Sequence, residues 1–195
     1  SVTIPSSVTS IAGVAFYNCT SLTSITIPAS VTTIGESAFY GCTALASVTI
    51  PASVTYIHSD AFRQCSTLDS VLFTGDAPAI GSNAFDASPA TLYYFPGTSG
   101  WGDPAKPLLT YELVNGGVTI TGIDTSFTGN SLPIPESLAG YPVTSIDDYA
   151  FSGCTSLTSV NIPGGATNIG YGAFQYCSGL TSLVIGSGVT GIGDW

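Results

Sequence analysis

Apolar residues along this chain recur at a fixed spacing of 23. Phenylalanine falls at Phe16, Phe39, Phe62 and Phe85, each preceded by alanine, and the pair returns as Ala150-Phe151 and Ala173-Phe174. A period of this length means one supersecondary unit stacked many times, because a single unit cannot bury its own apolar face. In the copy Ser24 to Ala46 the apolar skeleton is Ile25, Ile27, Val31, Ile34, Ala38, Phe39, Cys42 and Leu45. The alternation Thr23-Ser24-Ile25-Thr26-Ile27 predicts a short strand. Pro28 ends it, having no N–H for a ladder. Val31 to Ile34 predicts a second extended piece, and Gly35 releases the backbone for a turn. Ser37 to Cys42 suits a short helical or 3₁₀ turn with Ala38, Phe39 and Cys42 on one side.

Stacked copies place their strands in parallel, about 4.8 Å apart. The expected ladders are Ile4, Ile27, Ile50 and Phe73; Val8, Val31 and Val54; and Ile11, Ile34, Ile57 and Ile80. The pattern Leu45-x-x-Val48-x-Ile50-Pro51-x-x-Val54-x-x-Ile57-x-x-x-Ala61-Phe62-x-x-Cys65 resembles the BspA-like leucine-rich repeat. The resemblance implies an α/β-type leucine-rich repeat solenoid, a right-handed superhelix of short parallel strands joined by helical or 3₁₀ turns. It also implies a surface or secreted location, mainly in bacteria, and for several members a role in adhesion.

The period breaks once. From Phe85 to Phe151 is 66 residues, where three periods would be 69. Within this interval TLYYFPGTSGW, carrying Tyr93, Tyr94, Phe95 and Trp101, resembles a family closing coil. Tyr111 to Ile120 predicts a β-hairpin turning at Asn115-Gly116. Leu132-Pro-Ile-Pro and the stretch from Gly140 to Ile146 then lead into a fresh Ala-Phe, as in a family entry segment. The expected organisation is therefore a first array with a degenerate closing coil over 1–109, and an entry hairpin with a second array over 110–195, the irregular interval forming a β-rich insert. Ser1 opens a strand, the chain holds no Met, and Trp195 stops just before the next expected Ala-Phe, so a processed product or excised segment of a longer array is expected.

Composition narrows the function. Hydrophobic residues make up 44% and charged residues 7%, so a packed interior is expected under a surface of Ser, Thr, Gly, Asn and Tyr. Arg63 and Lys106 face twelve acids, for a net charge of −10. That balance argues against nucleic acid and anionic lipid, since little neutralises phosphate. No apolar run is long enough to insert in a membrane.

Candidate chemistry is sparse. Cys19, Cys42, Cys65, Cys154 and Cys177 share one repeat position on the apolar face; an odd number without C-x-x-C spacing favours buried free thiols over a disulfide or metal ladder. His58 has only Ser59 and Asp60 beside it, and neighbours in sequence do not converge as a triad does. Asp76, Asp86, Asp103, Asp124 and Asp147-Asp148 lack a calcium-loop pattern. Gly35, Gly81, Gly170 and Gly193 are expected to serve turns. No cofactor and no catalytic group is expected.

The outward strand positions are the better candidates for contact with a partner: Ser24, Thr26, Ser47, Thr49, Ser70, Leu72, Ser159, Asn161, Ser182 and Val184. Tyr17, Tyr40, Tyr56, Tyr149, Tyr171 and Tyr176 edge them in the turns. A Ser/Thr sheet rimmed by tyrosine suits a protein or glycan, since Tyr offers rigid amphipathic area; the plainer reading is that Ser and Thr merely keep a weakly charged face soluble. Tyr93, Tyr94 and Trp101 are either a ligand platform or packing at a seam. The reading is an extracellular or cell-surface repeat protein that binds a protein or glycan of a host or neighbouring cell. A structural spacer is the alternative.

Overall fold

The computed structural model describes residues 2–102 and 105–194. The chain divides into two compact units. One runs to Tyr94 and resumes at Thr98–Lys106; the other holds Phe95–Gly97 and everything described from Pro107 onward.

Each repeat contributes two short strands, because Pro and the turn residues leave only two extended stretches per period. In the first unit Ser10–Ile11, Thr33–Ile34, Tyr56–Ile57 and Ala79–Ile80 form one parallel ladder in order. Ser47–Ile50, Ser70–Phe73 and Thr91–Tyr94 form part of the other. Ile11 pairs with Ile34, Ile34 with Ile57, and Ile50 with Phe73. The expected isoleucine and valine ladders are thus buried through Val31, Ile34, Val54 and Ile57, while Ile80, at the end of its ladder, is exposed.

The turns differ from expectation. No residue among those described is helical. Each full turn instead contains two residues in the left-handed region, four apart: Val14 and Asn18, Ser37 and Gly41, Asp60 and Gln64, Asn83 and Ala87, Tyr149 and Gly153, Gly172 and Tyr176. Single left-handed residues stop helix propagation. Between them alternate N–H groups point along the stack. Phe16 donates to the Ala38 carbonyl at 2.7 Å and Phe39 to the Ala61 carbonyl at 2.7 Å, so those donors leave the local turn for the next coil. Other N–H groups close tight turns, as Tyr40 does on Ser37 at 3.2 Å. The coil is therefore all strand and β-turn, and the α component is corrected.

This arrangement stacks the side chains as well. Phe16, Phe39, Phe62 and Phe85 form a near-parallel pile with ring centroids 5.1, 4.9 and 5.3 Å apart. Phe39 and Phe62 are fully buried. The glycines after the core isoleucines answer to this close stacking, not to turn geometry: a Cβ on Gly35 would lie 2.4 Å from the Gly13 nitrogen, and one on Gly170 would lie 2.4 Å from the Asp148 nitrogen.

In the second unit Leu109–Val114 and Gly117–Ile123 pair antiparallel around Asn115 and Gly116, with φ of 51° and 79°. Two left-handed residues in a two-residue loop make the turn that the Asn-Gly pair predicts. Gly117–Ile123 then pairs in parallel with Tyr141–Ile146, which continues to Asn168–Ile169 and Gly191–Ile192. Ser131–Pro133, Ser159–Asn161 and Ser182–Val184 form the companion ladder. Phe151 and Phe174 stack at 5.2 Å.

Candidate interaction surface

The expected outward strand positions divide into two groups. Thr26, Asn161, Ser182 and Val184 are exposed, and Ser24, Ser47, Thr49 and Ser159 are partly exposed. Ser70 and Leu72 are buried, at 1% and 2% exposure, and their place on an outward face is corrected; Tyr93, of the inserted aromatic cluster, is buried as well. All four residues of Ser70–Phe73 are buried, so both faces of this strand are covered. Leu72 and Tyr93 are register partners, and their apolar character where earlier coils carry Thr is the sequence signal of that covering. The Ser70 hydroxyl is buried with no hydrogen-bond partner among the described residues.

Tyr94 and Trp101 stack at 5.2 Å, Trp101 packs on Phe73 at 4.7 Å, and its indole N–H donates to the Thr98 hydroxyl at 2.8 Å. Trp101 is packed against the core of the first unit. Tyr93 is thus buried, while Tyr94 and Trp101 are partly exposed and packed on each other.

Many hydroxyls serve the stack itself. Thr32, Thr55, Thr167 and Thr190 each donate to a carbonyl 23 residues earlier, and Ser30 and Ser53 reach back to Val8 and Val31 at 2.6 Å. A thiol does the same in the turn. Cys42 donates to the Phe16 carbonyl, Cys65 to Phe39 and Cys177 to Phe151, while Ser88 takes this role on Phe62 where the repeat lacks Cys. All five cysteines are free. Burial pushes the thiol of Cys42 up to about 11 and that of Cys65 up to about 12, with a neighbouring cysteine adding to each. Cys19 departs from the buried expectation, since it is exposed.

The titratable groups do not converge. His58 is exposed and packs edge-on against Tyr56 at 4.4 Å. Asp76 accepts from the Ser99 N–H, Asp124 from Ser126, Asp148 from the Tyr171 N–H, and Asp60 and Asp86 flank Arg63. Asp103 lies outside the described residues. Among those described, no three His, Cys, Asp or Glu side chains form a group able to hold a metal ion.

The turns of the second unit carry the most exposed aromatic surface. Tyr176 is 75% exposed, Tyr149 50% and Tyr171 42%. Tyr149 and Tyr171 meet edge to face at 5.4 Å. The Tyr149 hydroxyl is held above its ordinary pKa, first by desolvation and then by Tyr171, Asp148 and Tyr176 nearby. Gly172 makes room for this group, for its Cβ would fall 2.7 Å from the Tyr149 ring. In the first unit Tyr17 and Tyr40 stack at 5.0 Å.

Tyr149 also lines a cleft of about 390 Å³, together with Asp124, Thr125, Phe127, Ser152, Cys154 and Thr155. The period break announces irregular surface here. The cleft itself was not legible, because its walls come from segments joined only by strand pairing.

The model of the BspA-type leucine-rich repeat region matches residues 1–99 and 124–195, in six copies. The chain belongs to the BspA-type leucine-rich repeat family. The stretch left unmatched, 100–123, contains the hairpin. Among solved structures, the chain is similar to a leucine-rich repeat protein of Bacteroides capillosus, at 31% identity over 43% of this chain and 65% of that one, with a TM-score of 0.41. It is similar to the T. pallidum leucine-rich repeat protein at 26% identity, over 98% of this chain and 72% of that one, TM-score 0.44. A leucine-rich cell surface protein of Faecalibacterium prausnitzii shares 26% identity over 97% of this chain and 61% of its own, TM-score 0.38. The chain thus spans less than two thirds of the first and third of these. No curated protein matches.

Proposed function

We propose that this BspA-type repeat protein is a non-enzymatic binding module, displayed at the cell surface or secreted, that engages a protein or glycan through the turn face of its second unit. The exposed tyrosine group Tyr149, Tyr171 and Tyr176 carries this reading. A spacer has no use for three exposed aromatics side by side, whereas tyrosine supplies large contact area at low entropic cost. A location outside the cell fits the name of the Faecalibacterium prausnitzii relative, a cell surface protein. The polar strand positions Thr26 and Thr49 of the first unit, and Asn161 of the second, stand as accessory contact positions. The acidic balance directs the site toward neutral or basic ligands.

The test is a screen of the purified chain against immobilised matrix proteins and glycans, run beside a Tyr171→Ser/Tyr176→Ser variant. Binding that falls about tenfold or more in the variant is expected. A clean screen for the parent chain would leave the spacer as the better account.

A further inference from the structure

The turns of the second unit alternate acid and aromatic along the stack. Ile146, Ile169 and Ile192 are register partners in successive coils. Two residues past each stand Asp148, Tyr171 and Asp194, so Tyr171 has an aspartate in the coil on either side, one strand spacing or about 4.8 Å away. The backbone keeps this step beyond the strands: Tyr149 donates its N–H to the Tyr171 carbonyl at 2.9 Å, and Gly172 donates to the Asp194 carbonyl at 3.0 Å. Asp148 is fixed in place, because its carboxylate accepts the Tyr171 N–H at 2.7 Å. The rings of Tyr149 and Tyr171 lie 5.4 Å apart at 75° and share a side-chain hydrogen bond, with Tyr176 close by. Two rings nearly at right angles make a corner walled by aromatic surface. Asp148, Asp194 and all three tyrosines are exposed.

The first unit has tyrosines without this arrangement. Tyr17 and Tyr40 stack within 8° of parallel, each covering a face of the other. Tyr56 meets His58 at 63°, but its register partners in the neighbouring coils are Thr33 and Ala79, which carry no charge. The one arginine, Arg63, is matched inside its own unit, with Asp60 at 3.1 Å and Asp86 at 3.7 Å. The second unit carries Glu112, Asp124, Glu136, Asp147, Asp148 and Asp194, and no Lys or Arg of this sequence follows Lys106. Its aromatic corner is therefore flanked by carboxylates for which the unit itself holds no Lys or Arg.

We propose that this corner binds an arginine side chain of a partner protein, its guanidinium seated against the Tyr149 and Tyr171 rings and its N–H groups turned to the flanking carboxylates of Asp148 and Asp194. The assignment rests on reading the tyrosine group as the binding face, and it narrows the partner from protein or glycan to protein. A cation is drawn to the negative face of an aromatic ring. Guanidinium is planar and weakly hydrated, so it lies on a ring while its edge N–H groups stay available to carboxylates. Ammonium has neither the plane nor the fork. A neutral sugar fills the aromatic corner but gains nothing from the charge on either side of it. The acidic row also raises the local concentration of cationic groups and speeds their encounter with the rings.

The test uses the whole chain, with the tyrosine ring resonances assigned by NMR, and titrates acetyl-GGRGG-amide at low ionic strength. Shifts at the Tyr149, Tyr171 and Tyr176 rings are expected. The citrulline counterpart, similar in shape but neutral, should bind about tenfold or more weaker. The lysine counterpart should bind about threefold weaker. Tyr171→Phe keeps the ring and should bind within about twofold of the parent, whereas Tyr171→Leu should weaken binding about threefold or more. Asp148→Asn/Asp194→Asn should weaken it about fivefold and flatten its salt dependence. Its circular dichroism should be unchanged, since an amide oxygen still accepts the Tyr171 N–H. Unmoved rings, equal binding of the citrulline or lysine probe, or a Tyr171→Leu chain that binds like the parent would overturn the proposal. So would rings that move with a neutral oligosaccharide such as cellohexaose and not with the arginine probe. Array ligands lost in Tyr171→Ser/Tyr176→Ser but kept in Asp148→Asn/Asp194→Asn would overturn the arginine assignment and leave the binding face standing. A bound arginine probe beside an empty array screen would sink the wider module reading alone.

Discussion

Removing Phe62 tests whether the stacked rings stabilise the fold beyond their burial. Phe62 is fully buried, with Phe39 at 4.9 Å and Phe85 at 5.3 Å on its two faces, both within 9° of parallel. Phe62→Leu keeps most of the apolar volume, a change that by itself costs under about 1.5 kcal/mol. It forfeits two ring pairs at about 0.5–1.5 kcal/mol each. The loss attributable to stacking is therefore about 1–3 kcal/mol. Phe16 is only partly buried and is stacked on Phe39 at 5.1 Å, so Phe16→Leu forfeits one pair, about 0.5–1.5 kcal/mol. Phe62→Ala adds a cavity and should cost about 5 kcal/mol, the upper end for Phe in a core. Equilibrium urea unfolding followed by far-UV circular dichroism reads all three. The slope must be compared between variants, because a repeat array can lose an end coil separately from its middle. Equal losses for Phe62→Leu and Phe16→Leu, at an unchanged slope, would show that the rings act as generic apolar volume and would refute the stacking argument.

Three further outcomes follow from the thiols and turns. The thiols of Cys42 and Cys65 are raised to about 11 and about 12 in the folded chain, chiefly by burial. Their stabilising contribution is complete below the ordinary thiol pKa of about 8.5 and is lost as pH rises through the folded values. The urea midpoint should accordingly fall above about pH 9, and less so in Cys42→Ser/Cys65→Ser. In native buffer a maleimide should label the exposed Cys19 first, with Cys42 and Cys65 reacting only on unfolding. Gly41 sits at φ 68°, and a Cβ there would meet the Asn18 side-chain oxygen at 2.2 Å. Gly41→Ala should therefore cost about 1–2 kcal/mol in the same unfolding assay, and Asn18→Ala in that background should recover part of it.

Much of this site was within reach of a reading by residue. Tyr149, Tyr171 and Tyr176 follow from their places beside Ala-Phe in the repeat, and their exposure follows from turns that face away from the core. Leu72 and Tyr93 carried a signal that was passed over: apolar residues at positions held by Thr26 and Thr49 mark a face withdrawn from water. The cleft left a fainter trace, because its lining residues come from two stretches more than 20 residues apart.

The 23-residue period by itself determined the parallel ladders and the phenylalanine pile, because identical units in stack place identical residues in contact. Asn115-Gly116 determined the hairpin turn, since few other pairs accept two left-handed residues. Only the tertiary structure decided that the turns are not helical, for that depends on N–H groups leaving their own coil for the next one. It alone decided that Ser70, Leu72 and Tyr93 are covered, and that Thr125 and Tyr149 line one cleft. Hydrogen bonds between coils join residues 20 or more apart, and a reading along the chain does not pair them.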